Sequence, residues 1–447
     1  MNSEFLPESF RKTILGLLPD EADDFFKGLE QQPVTSVRLN PAKPVNAPSS
    51  FQVPWCSNGF YLSERPSFTT DPLFQAGCYY VQDASSMFVE QAVMQTLKDK
   101  TTPLRVLDLC AAPGGKTTHL LSLLTEGSLL VANEVIRSRV PLLTENIEKW
   151  GRSNVIVTNN DPADFAGLEG FFDVILTDAP CSGEGLFRKD PEAIKEWSEK
   201  NVELCSARQQ RILNDVWPAL KEDGILIYST CTFNQQENEK NIARLLEQVS
   251  AESLSISIPS EWQVVHTETI GVHGYRFYPH KVKGEGFFLS VIQKKESAGQ
   301  VNIHNRKKQT LSKEFEEVRQ LLKNPDDFML TEKNKMILAL PEQVALVRDF
   351  LNGRLNIASS GLAMGEMKHG KLIPHHALAL SVDVDPSKIQ NAELSLEDAL
   401  RFLRKEPIAP TGSGMTRFTY HGFGIGWGNV VAGRVNNLLP MGRRILK

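Results

Sequence analysis

The chain has 447 residues, 41% of them hydrophobic and 23% charged, which excludes collagen-like, disordered and membrane-embedded classes and, at roughly 150 residues per domain, a single core. No apolar run reaches the ~18 residues of a membrane span, and the N-terminus lacks the charged-then-apolar order of a signal peptide, so a cytoplasmic protein is expected. The net charge of −5 conceals an asymmetry: residues 301–447 carry 21 Lys+Arg against 15 Asp+Glu, leaving −11 on the rest, and a basic end on an acidic body fits an anionic partner.

In chain order, SFRKTILGLL has the spacing of an amphipathic helix and is followed by SVRLNP, a Pro-rich loop, GFYL, and a helix starting at Asp83 or Ser85. From residue 104 strands and helices alternate. LRVLDL (104–109), SLLVANE (128–134), SNVIVTN (153–159), FDVILTD (172–178) and GILIYST (224–230) read as buried strands, with KTTHLLSLL, SRVPLLTENIEKW and ELCSARQQRILNDVWPALK as helices between them. EWQVVHT and EGFFLSVIQK supply closing strands. The pattern predicts a doubly wound α/β domain with its ligand at the carboxyl ends of the strands. SAGQVNIHNRKKQT reads as a linker to a small α+β unit, and a final helix over LSLEDALRFLRK with the Gly-rich RFTYHGFGIGWGNVVAGRVNNLLP suits a small β-barrel. The expected units are 1–95, 96–296, 297–375 and 376–447.

The loop after the first of these strands, Asp108-Leu109-Cys110-Ala111-Ala112-Pro113-Gly114-Gly115-Lys116-Thr117, is a small-residue turn into a helix N-terminus, where backbone N–H groups can approach a ligand. Gly115-Lys116-Thr117 matches the end of a phosphate loop, but Cys110 replaces that motif's first glycine, and GxGxxG is absent as well. Glu134 stands 19 residues past Gly115 at the end of the second strand, where a carboxylate takes ribose hydroxyls. This favours an adenosine-bearing cofactor over a triphosphate. Asp161 and Asp178, after the third and fourth strands, extend the row of acids.

Cys181, in Asp178-Ala179-Pro180-Cys181, and Cys231, in Ser229-Thr230-Cys231-Thr232, fall on the same rim. Thr232-x-x-Gln235 reads as the capping box of a helix over QQENEKNIARLLEQV, which places Cys231 just before a terminus that lowers a thiol pKa. Two cysteines on one functional edge read as reactive thiols, whereas Cys110 packs and Cys56, Cys78 and Cys205 are structural. With no CxxC pair, no metal is expected. Arg188, Lys189 and Arg208 read as phosphate contacts or as solvated surface.

DLCAAPGGKTTHL, NEVIRSR, TDAPCSGEGLFRKDP and YSTCTFNQQENE, within residues 70–296, resemble the Sun-type family of RNA cytosine-5 methyltransferases. ALRFLRKEPI and YHGFGIGWGNVVAGRVNNLLPMGRR resemble its bacterial RsmF-type branch, which modifies 16S rRNA. The resemblance implies a Rossmann-like methyltransferase domain, an N-terminal α+β RNA-binding extension, and C-terminal α+β and PUA-like β-barrel domains. It implies that Cys110, Ala111, Ala112, Pro113, Gly114, Gly115 and Lys116 wrap the methionine end of S-adenosyl-L-methionine, that Glu134 takes the ribose, and that Asp161 lies near the adenine. Asp178 would border the cofactor and face the target cytosine, with Lys116 orienting the active-site acids. It assigns the nucleophile to Cys231 and product release to Cys181, an order that residue chemistry alone leaves open.

The implied partner of this monomer is ribosomal RNA, free or in the small subunit, with Arg434, Arg443, Arg444 and Lys447 facing it. Competing readings are a transfer RNA substrate, a P-loop-like nucleotide hydrolase, and an RNA-binding protein that uses the cofactor only structurally.

Overall fold

A computed structural model describes residues 6–49, 51–97, 99, 101–299, 301, 303 and 313–446. Most of the expected linker, and Lys447, lie outside the described residues. Two helices, Glu8–Leu17 and Ala22–Glu30, precede a three-stranded antiparallel sheet of β1 (Thr35–Leu39), β2 (Gly59–Leu62) and β3 (Tyr79–Val81), in the order β2-β1-β3. The helix expected from Ser85 begins as a 3-10 turn, Ser85–Phe88, and becomes α-helical over Val89–Thr96.

The apolar runs of the central region form β4 (Arg105–Asp108), β5 (Leu129–Asn133), β6 (Val155–Thr158), β7 (Phe172–Asp178) and β8 (Leu220–Thr230). They are parallel neighbours in the order β6-β5-β4-β7-β8. Every residue of β5 and β6 is buried, as continuous apolar strands covered on both faces require. The chain winds outward from β4 through β5 and β6 on one side and through β7 and β8 on the other. The switch point, where such sheets bind ligands, therefore falls between the carboxyl ends of β4 and β7, at Asp108 and Asp178.

β9 (Ala251–Leu254), β10 (Val265–Thr269), β11 (Val272–Phe277) and β12 (Phe287–Lys294) extend the sheet antiparallel beyond β8, in the path β8-β12-β11-β10, with β9 also on β12. Sequence reading supplies β10 and β12 but misses β9 and β11. VHGYRF is broken by His273, Gly274 and Arg276, so neither a continuous nor an alternating apolar signal survives in it.

Arg276 is buried on β11 and its guanidinium pairs with the buried Glu239, with Nε 2.7 Å from Oε1. Arg276→Met strands that carboxylate and costs about 3–5 kcal/mol, read as a lower urea midpoint, whereas adding Glu239→Leu recovers most of the loss. An equal loss in the double variant would show that packing, not charge, is at stake.

β13 (Phe328–Lys333), β14 (Met336–Pro341), β16 (Leu362–Lys368) and β17 (Lys371–Pro374) form an antiparallel sheet in the order β13-β14-β16-β17, while β15 (Ile357–Ser360) leaves it and pairs with β6. The segment expected to stand apart thus lends a strand to the central sheet and covers an edge that would otherwise be open. Its helix Glu342–Leu351 packs beside that strand, with Phe350 stacked on Phe171 at 5.3 Å. β18 (Asn391–Glu393), β19 (Gly414–Tyr420), β20 (Phe423–Val431) and β21 (Arg434–Asn437) follow in that order around the helix Leu396–Leu403. Trp427 is core there and donates from Nε1 to the His375 carbonyl at 3.0 Å.

The basic end is less free than expected. Arg443 is pinned to Glu145, at 2.9 Å, and to Glu148 on the helix Val140–Trp150, so it does not face outward. Arg417 is buried and donates to the Ala379 carbonyl at 2.8 Å, and Lys405 is held by the carbonyl of Leu439. These partners are distant in sequence, which is why composition counted the charges as available. Arg434 and Arg444 do remain exposed. Among the described residues no helix is long and apolar enough to cross a membrane.

Candidate active site

After β4 the chain turns through a cis Ala112–Pro113 bond and through Gly114, whose φ of +113° is a left-handed conformation that favours glycine. The helix Gly115–Leu123 starts there, so its N-terminus faces the switch point. Asp108 is buried and accepts from the Thr117 hydroxyl at 2.6 Å, while its Oδ1 has no partner. Burial pushes its carboxyl up to about 7. Cys110, half-buried in the turn, has its thiol raised by burial.

Glu134, just past β5, is buried and receives the Ile136 N–H at 2.8 Å. Arg139 pairs with it at 3.2 Å and also donates to the Ala112 carbonyl at 2.6 Å, joining the two loops that the sequence assigns to the cofactor. Asp161 caps the 3-10 turn Pro162–Phe165 and pairs with Arg211 at 3.0 Å, which holds its carboxyl low.

Asp178 ends β7. Its Oδ2 lies 2.9 Å from Lys116 Nζ, and its Oδ1 accepts from the Ser229 hydroxyl at 2.8 Å. Burial alone would lower the Lys116 pKa, but the charge and hydrogen bond of Asp178 outweigh it and raise the pKa. This lysine is therefore spent on the acid row, and Thr117 on Asp108, which removes the two side chains that the phosphate-loop reading needs.

Cys181 and Cys231 are half-buried with their sulfurs 3.1 Å apart, and the Cys231 N–H points at Cys181 Sγ at 3.4 Å. The hydrogen bond to Cys231, with burial, raises the Cys181 thiol well above its ordinary value. The expected capping box is absent. The helix after Cys231 begins only at Glu239, and Thr232 meets the Ser182 hydroxyl at 3.0 Å instead. Asn234, Glu237 and Asn238 turn inward to hydrogen-bond the loop, so residues 232–238 are fixed by side chains and not by helix.

The aromatic residues of the N-terminal helices pack on residues that follow the two cysteines in sequence: Phe10 meets Phe187 and Phe25 meets Phe233, each at 5.0 Å between ring centroids. Arg188, a candidate phosphate contact, is buried and bonded to Glu285 at 2.9 Å and to the Gly284 carbonyl at 2.7 Å, so it braces the loop. Lys189 pairs with Asp83 at 3.1 Å, and Arg208 remains exposed.

Among the described residues one group, Cys56, Glu90 and His119, has three donor atoms close enough for a metal. His119 Nε2 lies 2.9 Å from Glu90, burial lowers its pKa to about 4, and Glu90 also takes the Ser57 N–H at 2.9 Å. The contacts form a hydrogen-bond chain that anchors the N-terminal unit to the helix Gly115–Leu123. Sequence reasoning missed Asp108, Arg139, Ser182, Glu184, Asn234 and Glu237 as parts of the site. The available signal was two acids inside cysteine-bearing loops, Glu184 and Glu237, at positions where a solvated loop needs none.

Residues 94–293 match a family model described as 16S rRNA methyltransferase RsmB/F, residues 6–84 the N-terminal domain of 16S rRNA methyltransferase RsmF, and residues 390–445 the methyltransferase RsmF PUA domain. The ribosomal RNA small subunit methyltransferase F of Aliivibrio fischeri is 33% identical over 98% of this chain and 97% of its own, and that of Vibrio cholerae 31% over 97% of each. Among solved structures, a methyltransferase homolog protein from Pyrococcus horikoshii is 29% identical with a TM-score of 0.55, covering 64% of this chain and 95% of that one. NSun6 from Pyrococcus horikoshii, solved with SFG, is 22% identical with a TM-score of 0.53 over 65% of this chain and 99% of that one, and shows the shared fold. With a relative one-third identical along nearly its whole length, and all three family models in register, the chain belongs to the ribosomal RNA small subunit methyltransferase F family of S-adenosyl-L-methionine-dependent methyltransferases.

Proposed function

We propose that this protein methylates carbon-5 of cytosine in the ribosomal RNA of the small subunit, through a covalent adduct between Cys231 and carbon-6 of the base. The observation that carries the reading is the thiol pair, 3.1 Å between sulfurs, beside the Asp178–Lys116 ion pair at the switch point. Cytosine carbon-5 is a poor nucleophile. A thiolate added at carbon-6 turns carbon-5 into an enamine carbon, dividing one difficult step into two easier ones. The target base must leave its stack to reach such a rim.

The chain's residues fit the methyl donor. A buried acceptor without a partner, Asp108 Oδ1, and the buried carboxylate of Glu134 flank a turn of small residues, Cys110 to Gly115, that keeps side chains out of the way. Cys110, Ala111, Ala112, Pro113, Gly114, Gly115 and Lys116 would hold the methionine end, Glu134 the ribose, and Asp161 the edge near adenine. S-adenosyl-L-methionine supplies an electrophilic methyl group there. Asp178 faces the base edge, and in its protonated form, or bridged to the ring by the Lys116 ammonium, it provides the hydrogen bond that stabilises negative charge gathering at N3. Loss of the carbon-5 proton to a base restores the ring double bond and breaks the carbon-6–sulfur bond, and the protonated Cys181 assists the departing Cys231 sulfur.

Bisulfite sequencing of 16S rRNA and transfer RNA from cells lacking the gene tests the reading. One or more 16S cytosines that resist conversion in the parent become convertible. Loss confined to transfer RNA, or to neither, overturns the substrate.

The two loops also set a steric demand. The Gly185 N–H donates to the Cys231 carbonyl at 2.8 Å, and a Cβ there would stand 2.4 Å from the Gly286 oxygen and 2.9 Å from the Cys231 oxygen. Gly185→Ala therefore displaces the nucleophile loop and lowers kcat by on the order of 10²-fold, measured as methyl transfer at saturating cofactor. Unchanged kcat would mean the loop is not held where the chemistry needs it.

A further inference from the structure

Glu184 and Glu237 are fully buried and have no part in the chemistry above. Each follows one cysteine in sequence and grips the loop of the other. Glu184, three residues past Cys181, accepts through Oε2 from the N–H groups of Phe233 at 2.9 Å and Asn234 at 3.0 Å, beside Cys231. Glu237, six residues past Cys231, accepts from the N–H of Ser182 at 3.0 Å and from its hydroxyl, beside Cys181.

Trp197 Nε1 at 3.0 Å and Gln209 Nε2 at 2.8 Å complete the two sets, and Asn234 Nδ2 bridges them, 3.0 Å from Glu184 and 2.7 Å from Glu237. Each of the four carboxylate oxygens thus has two donors. Only an acceptor-only side chain can do this: a glutamine would turn two donors of its own toward donors. Charge-assisted bonds of this kind are short and strong, and their loss leaves buried N–H groups unpaired.

We infer that Glu184 and Glu237 are positioning residues with crossed assignments: Glu237 sets the release thiol Cys181 through Ser182, and Glu184 sets the nucleophile Cys231 through the backbone of Phe233 and Asn234. The inference rests on the thiol roles proposed above. In a merely structural reading both substitutions would weaken every step alike. In the crossed reading they split the reaction.

The test compares Glu237→Gln and Glu184→Gln with Cys181→Ser and Cys231→Ser in the full-length protein, using 16S rRNA and tritiated S-adenosyl-L-methionine. Single-turnover methyl transfer, steady-state kcat and covalent protein–RNA adduct on denaturing gels are read together with cofactor affinity. Glu237→Gln keeps single-turnover transfer within about threefold, loses kcat by on the order of 10²-fold and accumulates adduct, as Cys181→Ser does. Glu184→Gln loses transfer and adduct together by a similar factor, as Cys231→Ser does.

Equal losses in every step for both variants, or the two patterns exchanged, overturn the inference. Adduct in Cys181→Ser but none in Glu237→Gln overturns it as well. Absence of adduct in Cys181→Ser itself removes the release role of Cys181, and the inference falls with it. If a Gln variant fails to fold, Ser182→Ala, which keeps the N–H half of the Glu237 grip but removes the hydroxyl that Glu237 holds and its contact with Thr232, is expected to slow release and spare adduct formation, and the opposite split rejects the assignment.

Discussion

Cys231→Ser is expected to transfer methyl groups to small-subunit RNA at least ~10³-fold more slowly than the parent, a loss of about 4 kcal/mol of transition-state stabilisation. A thiol reaches its nucleophilic anion near neutral pH, whereas a serine hydroxyl in the same place needs a strong base, and none of the described carboxylates touches that sulfur. Cofactor affinity stays the same, because Cys231 lies at the end of β8, outside the turn from Cys110 to Gly115. The check is tritium transfer to RNA beside calorimetric titration of the cofactor. Activity within tenfold of the parent would remove Cys231 from the nucleophile's role.

Cys181→Ser produces the opposite signature. The first turnover proceeds, steady-state turnover falls by roughly 10²-fold or more, and the RNA remains attached to the protein through Cys231 on a denaturing gel. The physical basis is the contact of the two sulfurs at 3.1 Å. The Cys181 thiol is held protonated by that contact and by burial, so it can donate to the sulfur that must leave. A serine keeps a donor but is shorter at the Cβ–heteroatom bond and a poorer match to sulfur. A trapped adduct in Cys231→Ser instead would exchange the two roles.

The fold of the central domain and the placement of the candidate site were legible because their signals are local. The five parallel strands are buried on both faces and read as apolar runs, and the turn at Cys110 to Lys116, Glu134, Asp178 and both cysteines fall at strand ends, where topology collects them. The order of the thiols was not local information, and came from resemblance to a family. Thr232 looked like a helix cap because S/T-x-x-Q is a sufficient pattern only when the following side chains face solvent, and here Asn234 and Glu237 face the interior. Arg188, Arg443 and Arg417 counted as free cations until Glu285, Glu145 with Glu148, and the Ala379 carbonyl were brought to them by folding. β9 and β15 carry too few apolar residues to declare themselves, and in β11 His273, Gly274 and Arg276 interrupt the apolar Val272, Tyr275 and Phe277. They become strands because an edge is waiting for them.

The strand β15 ties the C-terminal third of the chain to the methyltransferase sheet, and the Arg443 pairs with Glu145 and Glu148 tie it separately to the helix Val140–Trp150. Two anchors remove the swivel that a single linker would leave. On the proposed function, an RNA held by the last unit would be presented to the thiol pair across a fixed span and at a fixed bearing, in the manner of a caliper. A base is reached or missed by its distance along the folded RNA from the gripped point, so lengthening that RNA by a base pair between grip and target moves the mark and does not merely loosen it.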